Sequence, residues 1–247
     1  MATGVREQSD SSQAAPEVRR RKAFIDASPA RRRQNKYIGL IETLPQYIVL
    51  PQDVPRWRGR WQERFPCPQP LFVDLGAGRG HFLTRKAIVE PEHNFLGIEV
   101  QYKRLYLSAT KAIDQRLTNV QYLRYDVLWL DEVFDNGEVS GVFINYPDPW
   151  PRARHEHRRM VSPALVKVLE RILRPGGRVF LKSDWPPYRQ AFLQAFHGSR
   201  FELTDRVDDL RTWAREDLNI TTSYEERFQR AGVTCFFYEF TLPGGNP

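Results

Sequence analysis

Leu71-Phe72-Val73-Asp74-Leu75-Gly76-Ala77-Gly78-Arg79-Gly80 is the stretch on which the fold turns. Four apolar residues and one acid read as a short strand, and three glycines in five positions follow it. Glycine adopts backbone angles closed to other residues and lets a ligand approach the main chain. Phe82 to Val89 then reads as a helix. The spacing is G-x-G-x-G, not the G-x-G-x-x-G that cradles a dinucleotide pyrophosphate. Asp74, two positions before the first glycine, is awkward beside a polyphosphate and suits a ligand with a cationic end.

Downstream, strands keep alternating with helices. Asn94 to Glu99, Asn119 to Tyr125, Gly141 to Tyr146 and Arg178 to Lys182 read as strands, and Thr234 to Leu242 as an antiparallel closing strand. Tyr102 to Leu117 and Tyr188 to Phe196 read as helices, and Trp129 to Phe134 as a short helical connection. Ser162 caps a further helix through Leu173, with Pro163 at its first position. Arg174 to Gly177 reads as a turn. This alternation predicts an α/β fold with a mostly parallel, doubly wound, Rossmann-like sheet. Ligands of such sheets bind beyond the carboxyl ends of the strands.

Asp74, Glu99, Asp126, Asp148 and Asp184 all fall at or just past such an end. Each alone fits a cap or a turn, but a sheet gains no stability by converging like charges. S-adenosylmethionine carries an ammonium and a sulfonium and no phosphate, and it fits this set. Gly76, Gly78 and Gly80 would cradle it. Glu99 is placed for its ribose hydroxyls, and Asp126 for its adenine amine.

Upstream the chain changes character. Residues 1–22 read as a disordered basic arm with Arg19-Arg20-Arg21-Lys22, and 23–70 as an N-terminal helical extension. Within it, Ile38, Leu40, Ile41, Leu44 and Ile48 fit one face of a short helix broken at Pro45. Trp57, Trp61 and Phe65 recur at helical spacing, so Arg56 to Phe65 reads as an amphipathic helix packed on the next domain. That domain spans 71–242, with 243–247 as a tail.

The chain has 247 residues and a formal net charge of +7, a sign that favours a polyanionic partner. Its apolar runs stay short of the roughly 18 residues that a membrane span needs. Cys67 and Cys235 are too far apart in sequence to suggest a zinc site or a disulfide framework, which fits a cytoplasmic protein. His155 and His157 stand in an Arg-rich loop and read as solvated or phosphate-facing, with no metal expected.

The second informative stretch is Asn145-Tyr146-Pro147-Asp148-Pro149-Trp150-Pro151-Arg152-Ala153-Arg154-His155, with Arg158-Arg159 behind it. Three prolines stiffen the exit from a strand around one carboxylate. Taken alone, Asp148 also fits a turn former. Tyr146 and Trp150 fit either a stacking surface or the core.

This block resembles the signature of the bacterial tRNA (guanine-N7)-methyltransferase family. Asp74-Leu75-Gly76, Gly97-Ile98-Glu99-Val100, Ser183-Asp184-Trp185 and Thr222-Ser223-Tyr224-Glu225 resemble its other motifs. The resemblance covers roughly Leu71 to Phe240. It implies a class I methyltransferase fold and S-adenosylmethionine as methyl donor. The product would be 7-methylguanosine at position 46 in the tRNA variable loop.

By matching position, Asp148 would sit at the reacting centre, and Asp74, Glu99, Asp126 and Asp148 on the cofactor. Arg152, Asp184, Thr222, Ser223, Tyr224 and Glu225 would bind the substrate. Arg154, Arg158 and Arg159 would hold tRNA phosphates. Asp148 or Asp184 would accept from the guanine Watson–Crick edge. Members of the family work as monomers or homodimers. This chain departs from the family in Asp74 for Glu, Tyr146 for Phe and Arg152 for Lys; the last exchanges a point charge for a planar fork.

Overall fold

The computed structural model describes residues 34–213 and 219–244. The basic arm, Arg31 to Arg33 and residues 245–247 lie outside the described residues.

Tyr37–Glu42 forms α1 and buries Ile38 and Ile41. Ile48, expected on the same helical face, instead opens a two-residue strand, β1 (Ile48–Val49). The helix expected over Arg56 to Phe65 does not form as one piece. Val54–Trp57 is a single turn, α2, and Trp61–Arg64 a separate 3-10 turn. Gly59 breaks the run with a left-handed φ of 74°. The Glu138 carboxylate fixes the break, accepting from the Gly59 and Trp61 backbone N–H groups, each at 2.9 Å. The aromatic stripe packs inward all the same. Trp61 is fully buried, and its indole N–H donates to the Val133 carbonyl at 2.9 Å.

From here helix and strand alternate. The elements are β2 (Leu71–Leu75), α3 (His81–Val89), β3 (Asn94–Ile98), α4 (Tyr102–Asp114), β4 (Val120–Leu123), α5 (Leu130–Val133) and β5 (Val139–Asn145). Then come α6 (Pro163–Ile172), β6 (Leu173–Ser183), α7 (Pro187–Phe196), β7 (Glu202–Val207), α8 (Ser223–Arg230) and β8 (Phe236–Thr241). The Ser162 side chain accepts from the Leu165 N–H and caps α6, with Pro163 in its first turn. β6 starts at Leu173, ahead of the expected turn, because Leu173 pairs with Val139 before the register shifts to Gly141 and Arg178. α8 has no counterpart in the elements expected from sequence.

The strands form one sheet in the order β1-β4-β3-β2-β5-β6-β8-β7. β1 to β6 pair in parallel, while β8 runs antiparallel to both β6 and β7. The strand order reverses at β2, which lies between β3 and β5. One face packs Leu165 and Leu169 of α6, Tyr188 and Phe192 of α7, and Trp61 into a single core. The other packs Leu83 of α3, Leu105 and Ala109 of α4, and Ile38 of α1. No helix among the described residues is long and apolar enough to cross a membrane.

Candidate active site

At the reversal point, the carboxyl ends of β2 and β5 open into a cavity of about 360 Å³. Asp74 is buried at its floor, next to Asn145 on the neighbouring strand, whose amide donates to Asp74 at 3.4 Å. Burial drives the Asp74 carboxyl up to about 7; nearby Glu99 adds to the rise, and the Asn145 hydrogen bond opposes it. A buried acid that holds its proton this far is poised to ionise when a cation arrives.

The glycine loop forms one wall. Gly76, Gly78 and Gly80 all have left-handed φ, at 81°, 58° and 70°. Gly80 also has no room: a Cβ there would lie 2.8 Å from the Ser108 Cβ and 2.9 Å from the Tyr122 hydroxyl. Glu99, just past β3, is buried and braces the loop. Its carboxylate accepts from the N–H of Gly78 at 3.1 Å and of Gln101 at 2.9 Å, with Arg104 at 3.5 Å. Two carboxylate oxygens offer about four acceptor sites, so capacity remains for a ligand.

The other expected acids stand further out. β4 ends at Leu123, not near Asp126, because the chain turns into a short 3-10 segment. Asp126 is half-buried and caps that segment, accepting from the Leu128 N–H at 3.1 Å. Asp148 is exposed, and its backbone carbonyl is anchored by the Tyr188 hydroxyl at 2.6 Å. Burial pushes that Tyr188 phenol up to about 12. Asp184 is half-buried one residue beyond β6. Only Asp74 and Glu99, of the five, are buried together.

The stiff reading of the proline block has a backbone counterpart. Tyr146 and Trp150 flank Pro147-Asp148-Pro149 with φ of 50° and 41°. Non-glycine residues seldom adopt such angles, which cost on the order of 1–3 kcal/mol each. Tyr146 lines the cavity and stacks on Tyr224 of α8, with centroids 6.2 Å apart at 27°. Trp150 meets His155 edge-on at 5.6 Å, and the Arg158 guanidinium lies 5.0 Å over its ring.

Arg152, Arg154 and Arg158 are exposed. Arg159 is held instead, donating to the Pro149 carbonyl at 3.3 Å with its guanidinium 5.0 Å over Trp185. That contact joins the proline block to the Ser183-Asp184-Trp185 motif.

The Thr222 to Glu225 segment differs most from a simple substrate contact. The Thr222 hydroxyl accepts from the Glu225 N–H at 3.0 Å and caps α8, whose first residue is Ser223. Tyr224 is 47% exposed and lines the cavity. Glu225 is 0% exposed and faces inward to Lys182 of β6 at 3.2 Å. Residues not singled out from sequence also line the cavity, among them Arg79, His81, Arg104 and Arg227. The T-x-x-E spacing was itself a readable sign of a helix start. Nothing in the sequence near Arg104 or Arg227 marks them as facing the cleft.

Residues 68–238 match a family of methyltransferases whose description reads "Putative methyltransferase". The tRNA (guanine-N(7)-)-methyltransferase of Pediococcus pentosaceus is 34% identical over 197 residues, covering 80% of this chain and 92% of that protein. The enzyme of the same name from Geobacillus kaustophilus is 36% identical over 203 residues, covering 82% and 92%.

The chain belongs to the tRNA (guanine-N7)-methyltransferase family.

Solved structures place this family member's fold among methyltransferases. The 16S rRNA methyltransferase KamB superposes with a TM-score of 0.54 at 15% identity, over 71% of this chain and 88% of its own. Geranyl diphosphate C-methyltransferase from Streptomyces coelicolor, solved with S-adenosyl-L-homocysteine, gives 0.50 at 19% identity, over 71% of each chain. At these identities the likeness concerns the fold alone.

Proposed function

We propose that this protein transfers the methyl group of S-adenosylmethionine to N7 of a guanosine in tRNA, at position 46 of the variable loop. The observation that carries the reading is the placement of the family's motifs. In a chain 34–36% identical to two enzymes of that name, the glycine loop, Asp74 and the strand leading into the proline block meet at one sheet reversal.

The cleft suits the methyl donor by its chemistry. Asp74 offers a buried carboxylate to the cationic end, and the loop of Gly76, Gly78 and Gly80 brings main chain to the cavity wall at Gly78. Glu99 has acceptor capacity left for the ribose hydroxyls, and Asp126 lies beyond it on the side of β4 for the adenine amine. When bound, S-adenosylmethionine supplies an electrophilic methyl group on sulfonium.

Guanine N7 carries a lone pair and no proton, so no residue of the chain needs to act as a base. The work left to the protein is to orient the base and exclude alternative geometries. Asp148 and Asp184 are the carboxylates outside the cofactor floor that can accept from the guanine N1 and N2 hydrogens. Exposed Tyr224 offers a ring for stacking. Arg152, Arg154 and Arg158, with Arg159 behind them, offer charge to the phosphates. The protein acts in the cytoplasm as a monomer or homodimer.

The test is transfer of labelled methyl to unmodified tRNA, followed by nucleoside mass spectrometry. The expected product is 7-methylguanosine, lost when adenosine replaces the variable-loop guanosine and reduced at least a hundredfold by Asp148→Ala. No transfer to tRNA, or methylation of another atom, overturns the reading.

A further inference from the structure

Lys182 occupies an unusual place. It is on β6, between Asn145 of β5 and Phe237 of β8, with its side chain buried in the protein. An ammonium is among the groups least often buried without a partner. Here it has three. It donates to the Asn219 side chain, to the Ile220 carbonyl at 3.4 Å and to the Glu225 carboxylate at 3.2 Å. The Asn219 amide closes the triangle by donating to Glu225 at 2.5 Å. Burial lowers the Lys182 pKa, and Glu225 works against that fall.

The same residue acts through its backbone. The Lys182 carbonyl accepts from the Tyr146 N–H at 2.9 Å, at the point where the chain leaves β5 with a left-handed φ. Its carbonyl therefore fixes Tyr146, and its ammonium fixes α8 through Glu225. Tyr146 and Tyr224, the rings so positioned, stack on each other in the lining of the cavity. Burial, with the nearby Glu225 charge adding to it, drives the Tyr146 phenol well above its usual range.

We infer that Lys182 is a positioning residue, and that Glu225 serves this enzyme as its buried partner rather than as a contact to guanosine. The ion pair latches α8 onto β6 and so holds Tyr224 and Arg227 over the cleft. This rests on the function proposed above, since the aromatic pair is taken to face the target base.

A double-mutant cycle tests it. Lys182→Met and Glu225→Gln are each combined with the other in the full-length protein. Each is read by its kcat and KM for tRNA, by its affinity for S-adenosylmethionine and by trypsin cleavage after Arg227 and Arg230. Thermal stabilisation by S-adenosylmethionine confirms that each variant is folded.

The latch predicts a tenfold or greater loss of kcat/KM in either single variant, and no further loss in the double. Cofactor affinity should stay within threefold, and α8 should be cut faster in all three. Multiplying losses overturn the inference, because a guanosine contact through Glu225 would act independently of Lys182. So do unchanged activity or unchanged cleavage in Lys182→Met.

If the wild-type protein transfers no methyl to tRNA, the proposed function fails. Cleavage of α8 in the same variants then still decides the latch. Should the single variants not fold, Lys182→Met combined with Glu225→Leu removes both charges together, which buried pairs tolerate far better than the loss of one. A folded, apolar pair that keeps α8 protected and full activity would equally show positioning, whereas lost activity with α8 protected would overturn it.

Discussion

Asp74 is a buried carboxyl in the lining of the cavity, where the proposed cofactor would bring its cationic end. Its folded-state value of about 7 lies above the ordinary 3.8 because it is buried. The folded chain therefore holds a proton that the unfolded chain releases near pH 4. Stability from this group is fully present below that point and is lost as pH rises through 7. A bound cation reverses the preference and favours the carboxylate. S-adenosylmethionine affinity should thus rise from pH 6 to pH 8, approaching tenfold per unit below pH 7. Asp74→Asn should bind weakly with a flat profile. Titration calorimetry at three pH values checks both; a flat wild-type profile would mean that Asp74 stays charged without the ligand.

At the scale of elements, the glycine loop and α8 teach opposite lessons. The loop was legible because its constraint is local: three left-handed turns in five residues leave little choice but glycine. What the sequence hid is that Gly80 is also crowded by Ser108 and Tyr122, which come from α4 and β4. Gly176 has the same kind of φ, at 74°, but open space around it. Gly80→Ala should therefore cost about 2–4 kcal/mol, combining backbone strain with a clash, against about 1 kcal/mol for Gly176→Ala. Urea denaturation of the two variants compares them directly; equal costs would show that α4 yields to the added methyl.

In α8 only the Thr222 cap is legible from sequence, because charges dominate Ser223–Arg230 and leave no apolar helical stripe. Glu225 looks like a surface acid in Thr222-Ser223-Tyr224-Glu225-Glu226, and only the distant Lys182 makes it an interior one. Likewise the Trp57, Trp61, Phe65 spacing suggested one helix, while Glu138, more than seventy residues away, stabilises the break at Gly59. The burial that the spacing implied was right, because it depends on side-chain chemistry. The helix was not, because a long-range carboxylate competes for the backbone donors.

For the molecule as a whole, the segment before β2 is built into the sheet and its core. β1 extends the sheet beside β4, and Trp61 packs 5.9 Å from Phe134 in the largest of the hydrophobic cores among the described residues. Trp61→Ala should lower the unfolding free energy by about 3–5 kcal/mol, the usual cost of emptying a buried aromatic site. Chemical denaturation measures it. A loss under 1 kcal/mol would make this segment an appendage rather than part of the core.

Sequence by itself determined the alternation of strands and helices, the glycine turn, and the proline block, because each follows from side-chain volume, backbone freedom or a missing N–H over a few residues. It also marked Asp74 within β2 and Glu99 and Asp184 directly after β3 and β6, whereas Asp126 and Asp148 lie three residues past their strands. Tertiary structure decided which of them are buried together, since burial and neighbouring charge depend on strand order. It put Asp74 beside Asn145 and near Glu99, left Asp148 exposed, and turned Glu225 inward to Lys182. Those pairings join residues up to seventy-one positions apart, a separation over which local sequence carries no signal.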